Sequence, residues 1–272
     1  MKVIKSGWVF KVKTNTDGSV ECLKACLVAK GYSQHPGFDY GEVFAPTVRY
    51  SATHLVLALA AQEDLHLRSV DISHAFTNGD LDEEIFMEQP EGFDEDKANY
   101  VCHLHKSLYG LKQAARQWNT KLCTVLKSMG FNQLKSDKSI FLFVRDDVQI
   151  ILPVFVDDLT LASKSTTAMD RVVEELKLHF KLCDLGPTTH LLGIGVERDW
   201  PTHCIFLSQC QYILDLLECF SFDKSHPVST PMDPGFNPST DMSPKSDEEA
   251  TFMKKVPYIN AVGALMYLAT TT

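Results

Sequence analysis

The spacing of apolar and polar residues predicts strands and helices that follow one another along the chain. Apolar residues at every second position indicate strands, and a period near 3.6 residues indicates amphipathic helices. Helices are predicted over 51–64, 111–129, 167–182 and 211–220, and strands over 8–13, 26–29, 66–71, 100–104, 140–144, 148–156 and 191–194. From residue 66 the order is strand, helix, strand, strand, helix, strand, which favours an antiparallel sheet backed by two helices, the split-βαβ arrangement.

Residues that favour turns and helix ends refine this pattern. Asp17 and Gly18 predict a tight turn that joins the first two strands into a hairpin. Ser51 is a predicted cap for the first helix, and Gly130 is the predicted stop of the second. Residues 226–250 are rich in Pro, Ser, Asp and Glu and have little apolar periodicity, which predicts a linker or a disordered segment.

Three aspartates stand out against their apolar surroundings. Asp157 and Asp158 lie between two apolar runs, and Asp71 ends a third. Adjacent carboxylates repel each other and are costly to bury, so a divalent cation is expected to offset them. Three aspartates on two strands form an oxygen cage suited to a pair of magnesium ions, the arrangement that drives in-line phosphoryl transfer. The alternative is an acidic turn without chemistry, because Asp is common in turns.

Residues 107–118 combine a glycine with polar side chains that lead into a helix. Lys112, Gln113 and Arg116 follow Gly110 and favour contact with a template base and with phosphates. The alternative is an ordinary loop into a core helix anchored by Trp118. Spacing alone does not separate the two interpretations.

The composition of the 272-residue chain is that of a globular protein, with 44% hydrophobic and 22% charged residues. No apolar run reaches the length that spans a bilayer, and no secretory signal opens the chain. The eight cysteines are scattered and include no second pair at zinc spacing. Reduced thiols in an intracellular protein are therefore expected.

The net charge of −9 argues against a nucleic-acid partner, because such proteins are usually basic. However, nine of the acidic residues fall within residues 78–96, which contain no Lys or Arg. The remaining 26 acidic residues are matched by 26 basic ones, so a basic groove is compatible with one acidic surface. Residues 78–96 themselves are predicted to be a solvated acidic loop.

Several longer motifs occur in one order along the chain. They are residues 24–34, 70–81, 107–118 and 155–159, with shorter motifs at 37–40, 44–49, 89–93 and 207–209. Together they resemble the reverse transcriptases of copia-type LTR retrotransposons. The resemblance covers essentially the whole chain, and several long motifs in a fixed order make it specific.

The resemblance implies an α+β fold, the right-hand polymerase of fingers, palm and thumb, with a ferredoxin-like antiparallel palm sheet backed by helices. The implied division of the chain is fingers over 1–65, palm over 66–200 with a finger insertion around 78–115, the start of the thumb or connection over 201–225, a linker over 226–250, and over 251–272 a truncated connection toward a missing RNase H domain.

The implied activity is RNA-directed DNA polymerisation, in which deoxynucleoside triphosphates extend a primer on an RNA or DNA template. By position, Asp71, Asp157 and Asp158 match the catalytic, metal-binding aspartates, with two Mg²⁺ ions as cofactor and Mn²⁺ as an alternative. The family is normally fused to integrase and RNase H domains and needs no membrane. An intact element would work inside the cell, in a cytoplasmic virus-like particle or in the nucleus.

The resemblance also assigns substrate contacts. Phe76 matches the aromatic residue that rejects the 2′-hydroxyl of a ribonucleotide, and Gln113 matches a template- and nucleotide-facing glutamine. The full set of implied substrate-binding residues is Lys24, Lys30, His74, Ala75, Phe76, Lys112, Gln113 and Arg116, with His74 and Ala75 acting through their backbone amides.

Some positions depart from the family pattern. Cys26 replaces an arginine of the fingers, and Cys183 replaces a lysine that acts near the leaving pyrophosphate. Ala115 and Thr77 stand where the family has proline and leucine. The alternative to an active polymerase is therefore a catalytically inactive relic or a host-adopted nucleic-acid-binding protein. Strand alternation does not decide which face Cys26 takes.

Overall fold

The computed structural model describes residues 3–14, 19–93, 100–230, 232–233 and 235–271. The chain divides into two units, Met1–Thr188 and Thr189–Thr272. The boundary falls inside the range predicted as palm, and each unit is described by itself. The predicted turn at Asp17 and Gly18 lies outside the described residues.

The first unit contains most of the sheet structure and three of the helices. Its strands are β1 (Val3–Ile4), β2 (Ser6–Thr14), β3 (Val20–Ala29), β4 (His66–Ile72), β5 (Asp80–Glu88), β6 (Val101–Lys106), β7 (Asn132–Gln133), β8 (Ile140–Arg145), β9 (Val148–Phe155), β10 (Asp158–Ser163) and β11 (Leu182–Pro187). Its helices are α1 (Tyr50–Gln62), α2 (Ala114–Ser128) and α3 (Thr166–His179).

A six-stranded antiparallel sheet forms the centre of this unit, in the order β11-β4-β10-β9-β8-β7. Successive side chains of a strand point to opposite faces. Leu152 of β9 packs with Leu122 of α2 and Val173 of α3 in the main core. On the other face, Ala162 of β10 packs with Val56 of α1. Helices therefore cover both faces, and α2 and α3 share one of them.

The central helices agree with the predicted ones, with corrections at one cap. Gly130 adopts a φ of +94° directly after α2, and the N–H of Phe131 donates to the carbonyl of Leu126 at 2.9 Å, so the predicted stop is confirmed. The predicted cap at Ser51 is wrong. Helix α1 begins at Tyr50, one residue earlier than predicted, and Arg49 takes the capping position without a side-chain hydrogen bond.

The region predicted as a solvated acidic loop is a strand over much of its length. β5 lies between β1 and β6 in a three-stranded sheet. Ile85 and Met87 are buried in a second core with Ile4 and Leu111, while Asp82, Glu84 and Glu88 stay exposed. The prediction failed because the many charges hid a period of two. Residues 94–96 lie outside the described residues.

The strand predicted over 191–194 is also wrong, and the central sheet ends differently. Leu192 and Gly193 have φ values of +52° and +82°, so they form a turn rather than a strand. The strand that completes the sheet is β11, which pairs with β4. Gly186 and Pro187 lie within β11 and weaken its strand signal in the sequence.

The second unit contains a small sheet and three helices. Its elements are β12 (His190–Leu191), β13 (Ile194–Asp199), β14 (Cys204–Ser208), α4 (Cys210–Cys219), α5 (Asp247–Met253) and α6 (Tyr258–Thr271). The three strands pair in chain order. The hydroxyl of Tyr267 in α6 donates to the carbonyl of Leu192 at 3.1 Å. This bond fastens α6 to the turn between β12 and β13.

The predicted linker over 226–250 overlaps the start of α5. Ser246 and Glu249 form reciprocal side-chain and backbone hydrogen bonds, a capping box that begins α5 at Asp247. In the described part of 226–245 the regular structure is one 3-10 turn, Thr240–Met242. Across the described residues, no helix combines the length and apolar character needed to cross a bilayer.

Candidate active site

Two of the predicted aspartates lie side by side on adjacent strands of the central sheet. Asp158 of β10 pairs directly with Asp71 of β4, although the two are far apart in the sequence. Cys183 of β11 pairs with Asp71 on its other side, and Phe155 of β9 pairs with Asp158. Directly paired residues share one face, with Cβ atoms about 4.5–5.5 Å apart. We call Phe155, Asp158, Asp71 and Cys183 the aspartate row.

Asp157 lies in the tight turn that connects β9 to β10. The preceding residue, Val156, has a φ of +57°, a conformation that is costly for a β-branched side chain. Two hydrogen bonds hold the turn. The indole N–H of Trp118 donates to the carbonyl of Val156 at 2.7 Å, and the N–H of Ile72 donates to the carbonyl of Asp157 at 2.8 Å. The turn is thereby fastened to both α2 and β4.

The surroundings of Asp71 and Asp158 raise the pKa values of these two carboxyl groups. Burial and the charge of Asp157 raise the pKa of Asp71 above its ordinary value. Burial and the charges of Asp157 and Asp71 raise the pKa of Asp158. Because the Asp158 residue remains accessible to water, screening limits this effect. The site therefore holds more negative charge than its own residues neutralise.

The donor chemistry fits a hard divalent cation, because carboxylate oxygens are the preferred ligands of Mg²⁺ and Mn²⁺. Among the described residues, however, no three His, Cys, Asp or Glu side chains already converge on a common point that could hold a metal. The oxygen cage expected from Asp71, Asp157 and Asp158 thus stays a prediction about the ion-bound site.

The hairpin of β2 and β3 presents lysines to these carboxylates. Lys11 pairs with Lys24, and Lys13 pairs with Cys22, so these side chains share one face of the hairpin. The positive charges of Lys13 and Lys24 oppose the rise in the pKa of Asp71, which means they act on it through space. Lys24 was expected near the substrate; Lys13 was missed.

The same pairing decides which way Cys26 faces. Cys26 pairs with Val9 and therefore lies on the hairpin face that carries Lys24. Its neighbour Leu27 faces the opposite way and packs against the second core. Cys26 is thus on the side of the carboxylates. Lys30 follows β3 at the base of the hairpin, where a Cβ atom on Gly7 would lie 3.3 Å from its Cε.

The residues expected to contact the sugar and phosphates follow β4. His74 is exposed, adopts a φ of +55°, and opposes the rise in the pKa of Asp71 through its charge. Ala75 is fully buried, backbone included, so the predicted phosphate contact of its amide stays a prediction. Phe76 is half-buried and packs against both the main core and the second core, and its ring centroid lies 4.7 Å from that of Tyr109.

Gln113 does not face the aspartates in this conformation. Its side chain is fully buried, and its amide oxygen accepts a hydrogen bond from Gln34 at 3.1 Å. Its amide nitrogen donates to the carbonyl of Asp39 at 3.1 Å and to Glu83 at 3.3 Å. These contacts join three segments of the chain: residues 34–39, β5 and the start of α2. The predicted contact with template or nucleotide is untested.

Lys112 and Arg116 flank this buried glutamine on the surface. Lys112 is exposed, and its backbone N–H donates to Gln34 at 2.8 Å. Arg116 forms an ion pair with Glu42. Neither contact involves the aspartate row. Their roles in binding a template therefore stay predictions.

A crossing of two backbones positions Tyr109, which the sequence did not single out. Gly110 adopts a φ of +93°, and a Cβ atom there would lie 2.0 Å from the carbonyl oxygen of Ala29. A Cβ atom on Gly31 would lie 2.0 Å from the carbonyl oxygen of Gly110. The N–H of Ala29 donates to the carbonyl of Tyr109 at 2.8 Å. Only glycine fits at this crossing, and Gly110 was the available signal.

Comparison with known proteins decides the family. The family described as "Reverse transcriptase (RNA-dependent DNA polymerase)" matches residues 1–234. The chain belongs to the reverse transcriptase family. This confirms the resemblance that the motifs indicated.

Curated relatives of the reverse transcriptase domain include plant retrotransposon polyproteins. The chain is 41% identical over 267 residues to the retrovirus-related Pol polyprotein from transposon TNT 1-94 of Nicotiana tabacum, covering 97% of the chain and 20% of that protein. It is 38% identical to the Pol polyprotein from transposon RE1 of Arabidopsis thaliana, covering 99% and 18%. The chain thus spans about a fifth of the length of these relatives.

Among solved structures, the reverse transcriptase domain resembles apo telomerase from Candida tropicalis truncated from its C-terminal domain. The TM-score is 0.37 at 8% identity, covering 75% of this chain and 55% of the telomerase chain. A likeness this weak carries no argument about the site.

One ion-pair cluster holds the last strand of the reverse transcriptase sheet in place. Arg68 of β4 donates from Nε to Asp184 of β11 at 2.9 Å, and its terminal nitrogens bind Asp184 and Asp170 of α3. The hydrogen bond from Arg68 holds the pKa of Asp184 below its ordinary value. Because Asp184 follows Cys183, this cluster also fixes the end of the aspartate row.

Proposed function

We propose that this reverse transcriptase domain extends the 3′-hydroxyl of a primer with deoxynucleoside triphosphates on an RNA or DNA template. The observation that carries the proposal is the aspartate row, in which Asp71 and Asp158 are paired across the sheet and Asp157 occupies the adjoining turn. Like charges so close together are unfavourable without a cation, and they serve a reaction that needs one.

The proposed architecture is the right hand of a polymerase. The elements β4, α2, β9, β10, α3 and β11 would form a ferredoxin-like palm, which is supported by their chain order and by the sheet order β11-β4-β10-β9. The β2–β3 hairpin and the β1-β5-β6 sheet would form the fingers. The domain would work as part of a Pol polyprotein with integrase and RNase H domains, in a cytoplasmic virus-like particle or in the nucleus.

In this mechanism Asp71, Asp157 and Asp158 would hold two Mg²⁺ ions, or Mn²⁺ in their place. When bound, the ions would supply Lewis acidity for activating the primer hydroxyl and for stabilising the leaving pyrophosphate. Lys13 and Lys24 add positive charge on the fingers side and draw the triphosphate toward the carboxylates.

Further contacts orient the nucleotide. The ring of Phe76 blocks the 2′-oxygen of a ribonucleotide by its bulk, a discrimination that comes from shape. The backbone amides of His74 and Ala75 bind phosphate oxygens. These contacts are supported by the position of all three residues directly after β4, which carries Asp71.

Primer extension with magnesium or manganese tests the proposal. Asp157→Asn and Asp71→Asn are expected to lower kcat/KM about a thousandfold, because each removes several kcal/mol of charge stabilisation from the transition state. The matched control is Asp146→Asn with Asp147→Asn, an exposed acidic pair in the β8–β9 turn. Equal activity of the Asp157 variant and this control would contradict the assignment.

A second candidate is a catalytically inactive chain that still binds nucleic acid. Two observations favour it: Cys26 lies on the hairpin face that carries Lys24, and Cys183 lies beside Asp71. A thiol cannot replace the guanidinium fork or the ammonium expected at these positions. If Cys26→Arg combined with Cys183→Lys extends no primer but binds a primer-template duplex, this second candidate replaces the first.

A further inference from the structure

Tyr109 is held rigidly at the edge of the site by its backbone. Its carbonyl accepts the N–H of Ala29 at 2.8 Å, and the next residue, Gly110, lies against Ala29 with no room for a side chain. Leu108 and Leu111 on either side pack in the core of the fingers. The loop therefore cannot shift without separating the two crossed backbones.

The ring of Tyr109 contacts the ring of Phe76. The two centroids are 4.7 Å apart and the planes are inclined by 57°, a favourable geometry for an aromatic pair. Phe76 itself sits on a four-residue 3-10 turn, Ala75–Asn78, and is half-buried. A ring on so short a turn depends on its neighbours to keep one orientation.

The hydroxyl of Tyr109 lies within electrostatic range of the carboxylates. Burial is the main cause of its raised pKa, and the charges of Asp157, Cys26 and Asp71 add to the rise. The side chain thus contacts Phe76 and also lies within electrostatic range of Asp71, Asp157 and Cys26. This is the region into which the sugar of an incoming nucleotide has to fit if the proposed polymerase activity is correct.

We propose that Tyr109 is a positioning residue for sugar discrimination: it supports the ring of Phe76 so that the ring cannot turn away from a 2′-hydroxyl. The proposal rests on the proposed polymerase function. A gate that works by bulk rejects the extra oxygen only while it stays in place, and Tyr109 is the rigid support. The apolar ring provides this support, so the hydroxyl is dispensable for it.

Single-nucleotide incorporation measures the effect as the ratio of kcat/KM for a deoxy- and the matching ribonucleotide. Tyr109→Ala is expected to lower this ratio about two- to tenfold, the value of one aromatic pair. Tyr109→Phe keeps the ring and should keep the ratio within about twofold. Tyr258→Ala, an exposed tyrosine of the second unit, is the control and should leave the ratio unchanged.

A second background separates support from direct contact. In a Phe76→Val chain the gate is already absent, so adding Tyr109→Ala should change the ratio no further. A ratio that Tyr109→Ala leaves unchanged in the otherwise native chain would overturn the inference, even if overall incorporation falls. So would a full second loss in the Phe76→Val background, or a loss with Tyr109→Phe equal to that with Tyr109→Ala.

The ring contact itself has a readout that needs no activity. With 4-fluorophenylalanine at position 76, Tyr109→Ala should shift and broaden the ¹⁹F resonance, whereas Tyr258→Ala should not. An unchanged resonance overturns the inference about support. A native chain that extends no primer overturns the proposed function, whereas an active chain with an unaltered ratio overturns only the role of Tyr109.

Discussion

Replacing Trp118 by phenylalanine removes one hydrogen bond to the turn that carries Asp157. The indole of Trp118 is 2% exposed and donates to the carbonyl of Val156, whose φ of +57° is unfavourable for valine. Trp118→Phe keeps an aromatic ring in the core but takes away the donor. The turn that carries Asp157 then loses its link to α2 and keeps the one from Ile72.

The expected cost has two parts. A partly buried carbonyl without its donor costs about 1–2 kcal/mol, and the smaller ring leaves unfilled core volume worth about 1 kcal/mol. The sum of about 2–3 kcal/mol corresponds to a Tm lower by about 5–10 °C for a unit of this size. Because Asp157 is displaced as well, kcat should fall about ten- to a hundredfold with KM little changed.

The matched control is Trp8→Phe. The indole of Trp8 also donates to a carbonyl, that of Glu91 at 3.0 Å, but in an exposed position where water replaces the lost donor. Its Tm should fall by less than about 2 °C. Circular dichroism at 222 nm follows both melts. Equal melting temperatures for Trp118→Phe and Trp8→Phe would refute the reasoning that the bond holds the turn.

Three further predictions concern charge. Arg68→Ala should destabilise the fold by about 1–3 kcal/mol in thermal melts, whereas Lys164→Ala, which removes an exposed ion pair, should cost less than about 0.5 kcal/mol. Because the pKa of Asp184 is lowered in the fold, the loss of stability caused by Arg68→Ala should shrink as the pH falls below about 4. Because the pKa of Asp71 is raised, its charged form destabilises the fold, so Asp71→Asn should raise Tm at pH 7 while lowering kcat/KM for primer extension about a thousandfold. The gain in Tm should vanish below about pH 4. Cys26→Arg should lower the KM for nucleotide about tenfold or more in steady-state kinetics, and an unchanged KM would count against Cys26 as a lesion.

Local patterns predicted the elements whose faces are clearly divided between core and solvent. The alternation in β9 and the apolar stripes of α2 and α3 each match one buried face, so their type and approximate bounds follow from the sequence. β5 was missed because acidic residues fill its exposed face and obscure the period of two. β11 was missed because Gly186 and Pro187 interrupt the strand signal.

The residue types of the site could be predicted, but their arrangement could not. That Asp71 lies opposite Asp158 depends on the register between two strands distant in the sequence, which no local pattern encodes. The burial of Gln113 depends on partners contributed by two other segments. The role of Tyr109 depends on a backbone crossing that is visible in the sequence only as Gly110.

The aspartate row also determines which kinds of mutation the site can survive. Deleting or inserting one codon within β4 would shift its pairing with β10 by one residue and turn Asp71 toward α2 and α3, where Val70 and Ile72 now pack. Every aspartate codon would remain, yet the carboxylates would lie on opposite sides of the sheet. A genomic copy that keeps all three aspartates but has a single in-frame codon gained or lost in β4 or β10 is therefore expected to be as inactive as one that has lost an aspartate.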